Sequence, residues 1–166
     1  SGGIHGYHEM LKILKNTAVK TCTVVAFPQG TDTLFQKIEE THKAIDDGAD
    51  EIDMVFNYKL LQEYWNDARL KEVQQLVQEE VVAVAQICHH QHKILKVIIE
   101  SGALTVEQTL TVSALCIQAH ADFIKTSTGK VAVGAEVAKV QAIREVIDAM
   151  QSKVQIKISG GIRTIH

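Results

Sequence analysis

Apolar and polar residues follow two different periods along this chain, and their order predicts a regular succession of strands and helices. Five short runs are apolar and rich in β-branched residues, a composition typical of buried strands. Turn residues or helix-like segments bound each run. The predicted strands cover 21–27, 51–56, 94–99, 122–125 and 154–158.

Before and between the strands, apolar residues recur every three or four positions, which predicts amphipathic helices. Thr33 with Gln36, and Thr105 with Gln108, have the spacing of a capping box and mark two helix starts. Gly48 stands where a glycine commonly ends a helix. The predicted helices cover about 7–15, 33–47, 65–90, 105–120 and 136–150.

This alternation of strands and helices is a run of βαβ units, which form a parallel sheet with right-handed crossovers. Two architectures remain open at this point, an open doubly wound sheet and part of a (βα)8 barrel. No GxGxxG motif follows the first strand, which weakens a dinucleotide-binding interpretation. No linker divides the chain, so we expect one domain over 1–166, with 1–7 a tag remnant or a loop.

Composition narrows the class of protein. The 166 residues are 46% hydrophobic and 22% charged, which suits a globular domain with a real core. The 17 basic and 20 acidic residues give no basic surplus for binding nucleic acid. No apolar run approaches the roughly 18 residues of a membrane span. Three widely spaced cysteines fit no disulfide framework, so we expect a cytoplasmic protein.

Four of the predicted strands carry a charged residue where a parallel sheet normally has an apolar one. They are Asp53, Lys96, Lys125 and Lys157. A single such residue is explained by a strand end that reaches water, because burying an unpaired ion is costly. Charges in four strands instead favour one polar cluster on the inward face of a barrel.

The chemistry of such a cluster follows from its residue types. A lysine amine attacks carbonyl groups only when it is neutral, and burial or a second cation lowers its pKa. The neutral amine forms a Schiff base, and a neighbouring aspartate moves the protons. Asp53, Lys125 and Lys157 would supply these roles without a metal or any other cofactor. The residues alone do not decide which lysine is the nucleophile.

Glycine-containing turns after the fourth and fifth strands add a possible binding function. Backbone N–H groups at Gly129, Gly160 and Gly161 could hold a phosphate, as loops late in a barrel often do. Lys130 and Arg163 would add positive charge. Ordinary strand-to-helix turns explain the same glycines equally well.

Other polar residues are weaker candidates. Glu100 ends the third strand, where it would either orient Lys96 or form an ordinary ion pair. His89, His90 and His92 lie at a helix end, where a solvated turn favoured by the helix dipole explains them better than a metal site.

Five segments resemble the deoxyribose-phosphate aldolase family, in its order and at its approximate spacing. The resemblance runs from about residue 8 to the end of the chain, and the segment around Lys125 is the most specific. The segments are 23–28, 48–55, 95–100, 121–130 and 156–164.

The resemblance implies a class I aldolase on a (βα)8 TIM barrel. Such an enzyme reversibly cleaves 2-deoxy-D-ribose 5-phosphate to D-glyceraldehyde 3-phosphate and acetaldehyde, a step of deoxyribonucleotide catabolism. Lys125 would form the Schiff base, Lys157 would lower its pKa, and Asp53 would relay protons. The residues implied to hold the phosphate are Gly129, Lys130, Gly160 and Gly161; Lys96, Glu100 and Arg163 would support the site.

The resemblance implies that the five predicted strands correspond to the third to seventh strands of the family's barrel. The family's first, second and eighth strands then have no counterpart among the predicted strands. An incomplete barrel exposes two strand edges, so we expect the chain either to associate into a homo-oligomer or to be poorly stable alone. Ile158 and Ser159 depart from the family pattern beside the second glycine turn. Two alternatives remain: an inactive truncated barrel that serves as an assembly or ligand-binding module, and a Schiff-base barrel aldolase with another donor.

Overall fold

The computed structural model describes residues 3–14, 19–131 and 136–159. Its strands fall within the five predicted runs and are up to three residues shorter. In chain order they are β1 (Cys22–Val25), β2 (Glu51–Val55), β3 (Ile94–Ile98), β4 (Phe123–Lys125) and β5 (Gln155–Lys157).

The helices depart from the prediction at three places. The long helix predicted from about residue 65 begins only at Leu70. The first helix already begins at Gly3, so residues 3–7 are helical rather than a loop; their few apolar residues carry no helical period. A six-residue helix occupies part of the loop expected before residue 65, too short for its period to be visible. The helices are α1 (Gly3–Leu14), α2 (Leu34–Asp46), α3 (Tyr58–Glu63), α4 (Leu70–His90), α5 (Val106–Gln118) and α6 (Val137–Ala149), with a 3₁₀ turn at Ser101–Ala103.

Side-chain caps explain where several helices begin. The Gln36 backbone N–H donates to Thr33 Oγ1 at 3.1 Å, and the Gln36 side chain accepts from the Thr33 N–H at 2.9 Å. Thr105 and Gln108 repeat this reciprocal pair at the start of α5. Both predicted capping boxes are therefore confirmed, and each satisfies two backbone donors that the first helical turn leaves unpaired.

The strand order distinguishes the two architectures. The five strands are parallel and pair in the order β1-β2-β3-β4-β5, each with its neighbour in sequence. A doubly wound sheet reverses its order at a switch point, whereas a barrel adds each strand beside the last. Right-handed crossovers then place the connecting helices on one face of the sheet. The fold is an incomplete α/β barrel.

Alternation along each strand gives the sheet two different faces. The helix-covered face is apolar and fully buried, and it forms the core together with the inner sides of α4 and α5. The opposite face, which would be the barrel interior, carries the charged residues. The buried residues of the helix-covered face include Ile52, Met54, Leu95, Val97 and Ile124.

The packing of α2 on α4 encloses an ion pair. Lys37 on α2 has no exposed surface, and its Nζ lies 3.2 Å from Glu80 Oε1 on α4. Burial lowers the pKa of Lys37 and is only partly opposed by the charge of Glu80. Burial likewise raises the pKa of Glu80. This pair lies on the far side of the sheet from the charged face.

The turn after β1 packs closely against the end of β2. Gly30 has a φ of +75°, and its N–H donates to Ala26 O at 2.8 Å. A Cβ at this position would lie 2.4 Å from the carbonyl oxygen of Phe56. Gly30 is therefore required both by its backbone conformation and by the space.

Within the described ranges, no helix combines the length and the apolar character needed to cross a membrane.

Candidate active site

Strand register brings the charged residues onto one face. Asp53 on β2 lies beside Lys96 on β3, and Lys125 on β4 lies beside Lys157 on β5. Glu51 precedes Asp53 by two positions and shares its face, because side chains alternate along a strand. The structure thus gathers all four predicted strand charges and one additional carboxylate on the inward face.

The central contact joins two strands that are not neighbours. Lys125 Nζ donates to Asp53 Oδ2 at 2.8 Å, although β3 lies between β2 and β4. Strands two places apart are separated by roughly 9–10 Å in a flat sheet. The two side chains meet because they converge on the inward face, as they do when a parallel sheet curls toward a barrel.

The two partners differ in their access to solvent. The side chain of Asp53 is 3% exposed, whereas that of Lys125 is 20% exposed. The carboxylate is therefore fixed within the protein, and the amine is reachable by a small molecule. This is the arrangement that a lysine nucleophile and its proton acceptor need.

Lys96 is held as a cation. Its Nζ lies 2.6 Å from Glu51 Oε1 and 3.7 Å from Asp53 Oδ1. Desolvation favours the neutral amine, but the hydrogen bond to Glu51 and the charge of Asp53 outweigh it and raise the pKa of Lys96. Lys96 therefore stays an ammonium ion and is unsuited to attack a carbonyl.

Lys157 is the cross-strand neighbour of Lys125, as the candidate role of a second lysine requires. Its side chain is exposed, because β5 is the outer strand of the described sheet and its inward face is open. The influence of Lys157 on Lys125 stays a prediction.

Cys22, at the start of β1, faces the same carboxylate. Burial, followed by the charge of Asp53 and a hydrogen bond to it, raises the pKa of the Cys22 thiol to about 12. The thiol therefore stays protonated near neutral pH and is not a thiolate nucleophile. The structure places Cys22 half-buried beside the charged face.

The segment after β4 continues the site toward the predicted phosphate turn. Gly129 has a φ of +82° and, like Lys130, is exposed. The Lys130 N–H donates to Thr128 Oγ1 at 3.1 Å, which shapes the turn. The candidates in the second predicted turn, after β5, lie outside the described residues; they are Gly160, Gly161 and Arg163.

Ser159 ties the end of the β5 segment to the end of β4. Its Oγ donates to Ser127 O at 2.6 Å and accepts from the Ser127 N–H at 3.2 Å. Its backbone N–H donates to Thr126 Oγ1 at 3.0 Å. Ser159, one of the two departures from the family pattern, thus fixes the two strand ends to each other.

Glu100 does not orient Lys96, and that expectation is wrong. Glu100 adopts a φ of +54° just beyond β3, which turns its side chain toward the segment after β4. There its carboxylate accepts from Thr128 Oγ1 at 2.5 Å and from the Thr128 N–H at 3.3 Å. Glu100 is fully buried and supports the turn that leads to Gly129.

Glu51 was not among the site residues predicted from the sequence. The available signal was its position, since a residue two places before Asp53 on a strand shares its face. Glu51 begins the strand, where a charge is easily assigned to solvent. Only the register with β3 shows that Lys96 lies within its reach.

The histidines at the end of α4 show no metal arrangement. His89 Nε2 lies 2.8 Å from Asp122 Oδ2, the oxygen that also accepts the N–H of Leu95. Among the described residues, no group of three or more His, Cys, Asp or Glu side chains is placed to hold a metal ion.

Fold and site together define an α/β-barrel protein with a lysine–carboxylate centre on its inward face. The family model described as DeoC/LacD family aldolase matches residues 4–166. The chain belongs to this family.

Curated relatives and solved structures agree with this membership. The chain is 41% identical over 152 residues to a deoxyribose-phosphate aldolase of Mycoplasmoides pirum, covering 92% of this chain and 64% of the relative. It is 39% identical over 153 residues to that of Treponema denticola, covering 92% and 66%.

Among solved structures, a tetrameric deoxyribose phosphate aldolase from Aeropyrum pernix superposes with a TM-score of 0.77 at 25% identity. The superposition covers 95% of this chain and 61% of that one. The chain therefore spans slightly less than two thirds of the length of these relatives.

Proposed function

We propose that this chain carries the catalytic centre of a class I aldolase that reversibly cleaves 2-deoxy-D-ribose 5-phosphate to D-glyceraldehyde 3-phosphate and acetaldehyde. The observation that carries the proposal is the contact between Lys125 Nζ and Asp53 Oδ2 at 2.8 Å, on the inward face of a parallel sheet. The relatives named deoxyribose-phosphate aldolase support the choice of substrate.

Each residue is proposed to carry out one step. The neutral amine of Lys125 attacks the carbonyl carbon of acetaldehyde, and the resulting carbinolamine loses water to give an iminium ion. Asp53 accepts and returns protons, because its carboxylate is already within hydrogen-bond reach of the reacting nitrogen. Loss of a Cα proton gives the enamine, whose carbon attacks the aldehyde of the second substrate. Lys157 is proposed as the cation that favours the neutral form of Lys125.

Recognition of the phosphate is proposed for the turns that follow β4 and β5. Gly129 and Lys130 lie exposed after β4, and Gly160, Gly161 and Arg163 follow β5 in the sequence. Backbone N–H groups and cationic side chains at the carboxyl ends of parallel strands suit a phosphate group.

Borohydride trapping tests the Schiff base directly. The chain is incubated with acetaldehyde and sodium borohydride, and the modified peptide is located by mass spectrometry. We expect a reduced adduct on Lys125 that disappears in Lys125→Met. Lys71→Met is the matched control, because Lys71 is an exposed lysine on α4 away from the charged face.

The same experiment distinguishes the alternatives. No adduct under conditions that label a full-length deoxyribose-phosphate aldolase would favour an assembly or ligand-binding module. An adduct with pyruvate or dihydroxyacetone phosphate but not with acetaldehyde would favour an aldolase with another donor.

Assembly and location are proposed on separate grounds. The relative from Aeropyrum pernix is a tetramer, which supports a homo-oligomer for this chain. None of the three cysteines is in a disulfide in the described structure, which supports a reducing compartment such as the cytoplasm.

A further inference from the structure

Glu51, rather than Asp53, forms the hydrogen bond with Lys96, although Lys96 also lies within ion-pair distance of Asp53. Lys96 lies directly opposite Asp53 in the register of β2 and β3, so these two side chains are the natural ion pair. Yet Lys96 Nζ is 2.6 Å from Glu51 Oε1 and 3.7 Å from Asp53 Oδ1, beyond hydrogen-bond distance. Glu51, two positions before Asp53 on β2, accepts the hydrogen bond of the Lys96 ammonium ion instead.

The consequence falls on Asp53. Its Oδ2 accepts a hydrogen bond from Lys125, whereas its buried Oδ1 receives none from Lys96, whose Nζ is 3.7 Å away. A carboxylate oxygen in this condition is costly to the fold and is an available proton acceptor. If Lys96 moved to Asp53, that oxygen would be occupied and the carboxylate less basic.

We infer that Glu51 is a positioning residue that holds Lys96 away from Asp53 and so keeps the carboxylate available to accept the substrate proton. The inference rests on the proposed function. In the step concerned, a Cα–H bond of the iminium ion breaks and the proton goes to an Asp53 oxygen. The electron pair of that bond forms the C=C bond of the enamine, and the π electrons of C=N return to nitrogen.

The titratable groups around Asp53 come from β1, β3, β4 and β5. Cys22 on β1 donates a hydrogen bond to the carboxylate and stays protonated. On the other side lie Lys96, Lys125 and, one strand further, Lys157. Without Glu51, the described part of this face holds three lysines and a single carboxylate, so Lys96 and Lys125 would compete for Asp53.

The test measures two steps of the chemistry in one protein. Trapping of acetaldehyde on Lys125 by borohydride reports nucleophilic attack. Exchange of the methyl protons of acetaldehyde with D2O, followed by NMR, reports proton removal from the iminium ion. For Glu51→Gln we expect exchange about tenfold slower or more, with trapping not slowed. A structural role would instead slow both steps together.

Lys96 provides the matched test of the route. If Glu51 acts through Lys96, Glu51→Gln should have no effect once Lys96 is removed. We therefore expect Lys96→Met and the double variant Glu51→Gln/Lys96→Met to exchange the methyl protons of acetaldehyde at rates within about twofold of each other. Glu136→Gln is the control, because it removes the acid of a Lys139 ion pair at 3.0 Å near the start of α6. Equal slowing by Glu51→Gln with and without Lys96 would overturn the inference.

A measurement without aldehyde keeps the inference separate from the proposed function. Acetic anhydride labels neutral amines, and peptide mass spectrometry gives the rate for each lysine. In Glu51→Gln we expect Lys125 to be labelled about threefold faster or more at a fixed pH near 8, because Lys96 then shares Asp53. An unchanged rate would refute the role of Glu51. Failure of the unmodified chain to trap acetaldehyde would refute only the proposed function.

Discussion

The ion pair enclosed by α2 and α4 allows a quantitative stability prediction for Glu80→Gln. Lys37 has no exposed surface, so in this variant its ammonium ion remains buried opposite a neutral amide. The choice of glutamine keeps the shape of the side chain and changes only its charge. The effect therefore isolates electrostatics from packing.

The magnitude follows from the separation of the two charges. At 3.2 Å between Lys37 Nζ and Glu80 Oε1, an effective dielectric constant of about 20 gives an attraction of about 5 kcal/mol. Relaxation and water penetration reduce this, and breaking a buried pair by removing one partner costs about 3–5 kcal/mol. We expect a loss of about 3 kcal/mol, which lowers Tm by about 6–12 °C in a chain of this size.

The sign of the pH dependence is fixed by Lys37. Burial lowers the pKa of Lys37 in the folded chain below the ordinary 10.5. Between that lowered pKa and 10.5, the folded chain binds fewer protons than the unfolded chain. The free energy of unfolding therefore rises with pH across that window. Without the opposing charge of Glu80 the pKa of Lys37 falls further, and the window extends toward neutral pH. The deficit of Glu80→Gln should thus be smaller at pH 10 than at pH 7.

Urea denaturation followed by circular dichroism at pH 7 and pH 10 measures these differences. Lys37→Met combined with Glu80→Leu is the companion variant, because an apolar replacement of a buried ion pair is often neutral or stabilising. A Glu80→Gln variant within about 0.5 kcal/mol of the unmodified chain at pH 7 would refute the reasoning. A loss of unfolding free energy in Glu80→Gln that is larger at pH 10 than at pH 7 would also refute it.

Two further predictions concern the β1 segment and the charged face. Gly30→Ala should destabilise the chain by about 2–4 kcal/mol, since its Cβ would lie 2.4 Å from a backbone oxygen at positive φ. Gly129→Ala, with no atom of the described residues within 4 Å of its Cβ, should cost only about 1 kcal/mol, and equal losses in thermal melts would contradict this. The thiol of Cys22, with its pKa raised to about 12, should react with iodoacetamide at pH 8 at least tenfold more slowly in the folded chain than in urea; equal rates would show that the thiolate is accessible.

The fold was largely predictable because its signals are local. All five strands lie where β-branched apolar runs predict them, and the boxes at Thr33 and Thr105 mark true helix starts. The choice between a barrel and a doubly wound sheet was not predictable from periodicity, because both give the same alternation of elements. Strand order decides it, and that order depends on long-range packing.

The four strand charges of the candidate site were predictable from the sequence, whereas Glu51 and the pairings among these residues were not. Charges in four strands indicated the cluster, since an isolated buried charge is costly. Which lysine contacts Asp53 depends on side-chain reach across an intervening strand. Glu100 is an example of a contact that the local sequence does not predict. Its backbone is left-handed, and its carboxylate accepts a hydrogen bond from Thr128.

The contact between Lys125 and Asp53 reaches across an intervening strand and 72 positions of the sequence. Its length therefore depends on the curvature of the sheet. Lys125 and Asp53 lie on strands two places apart, so a flatter sheet would separate them while leaving the backbone hydrogen bonds of the sheet in place. The distance between nucleophile and proton acceptor is thus set by how tightly the whole sheet curls. Substitutions in the helix-covered face, far from any reacting atom, could then tune the chemistry by changing that curl.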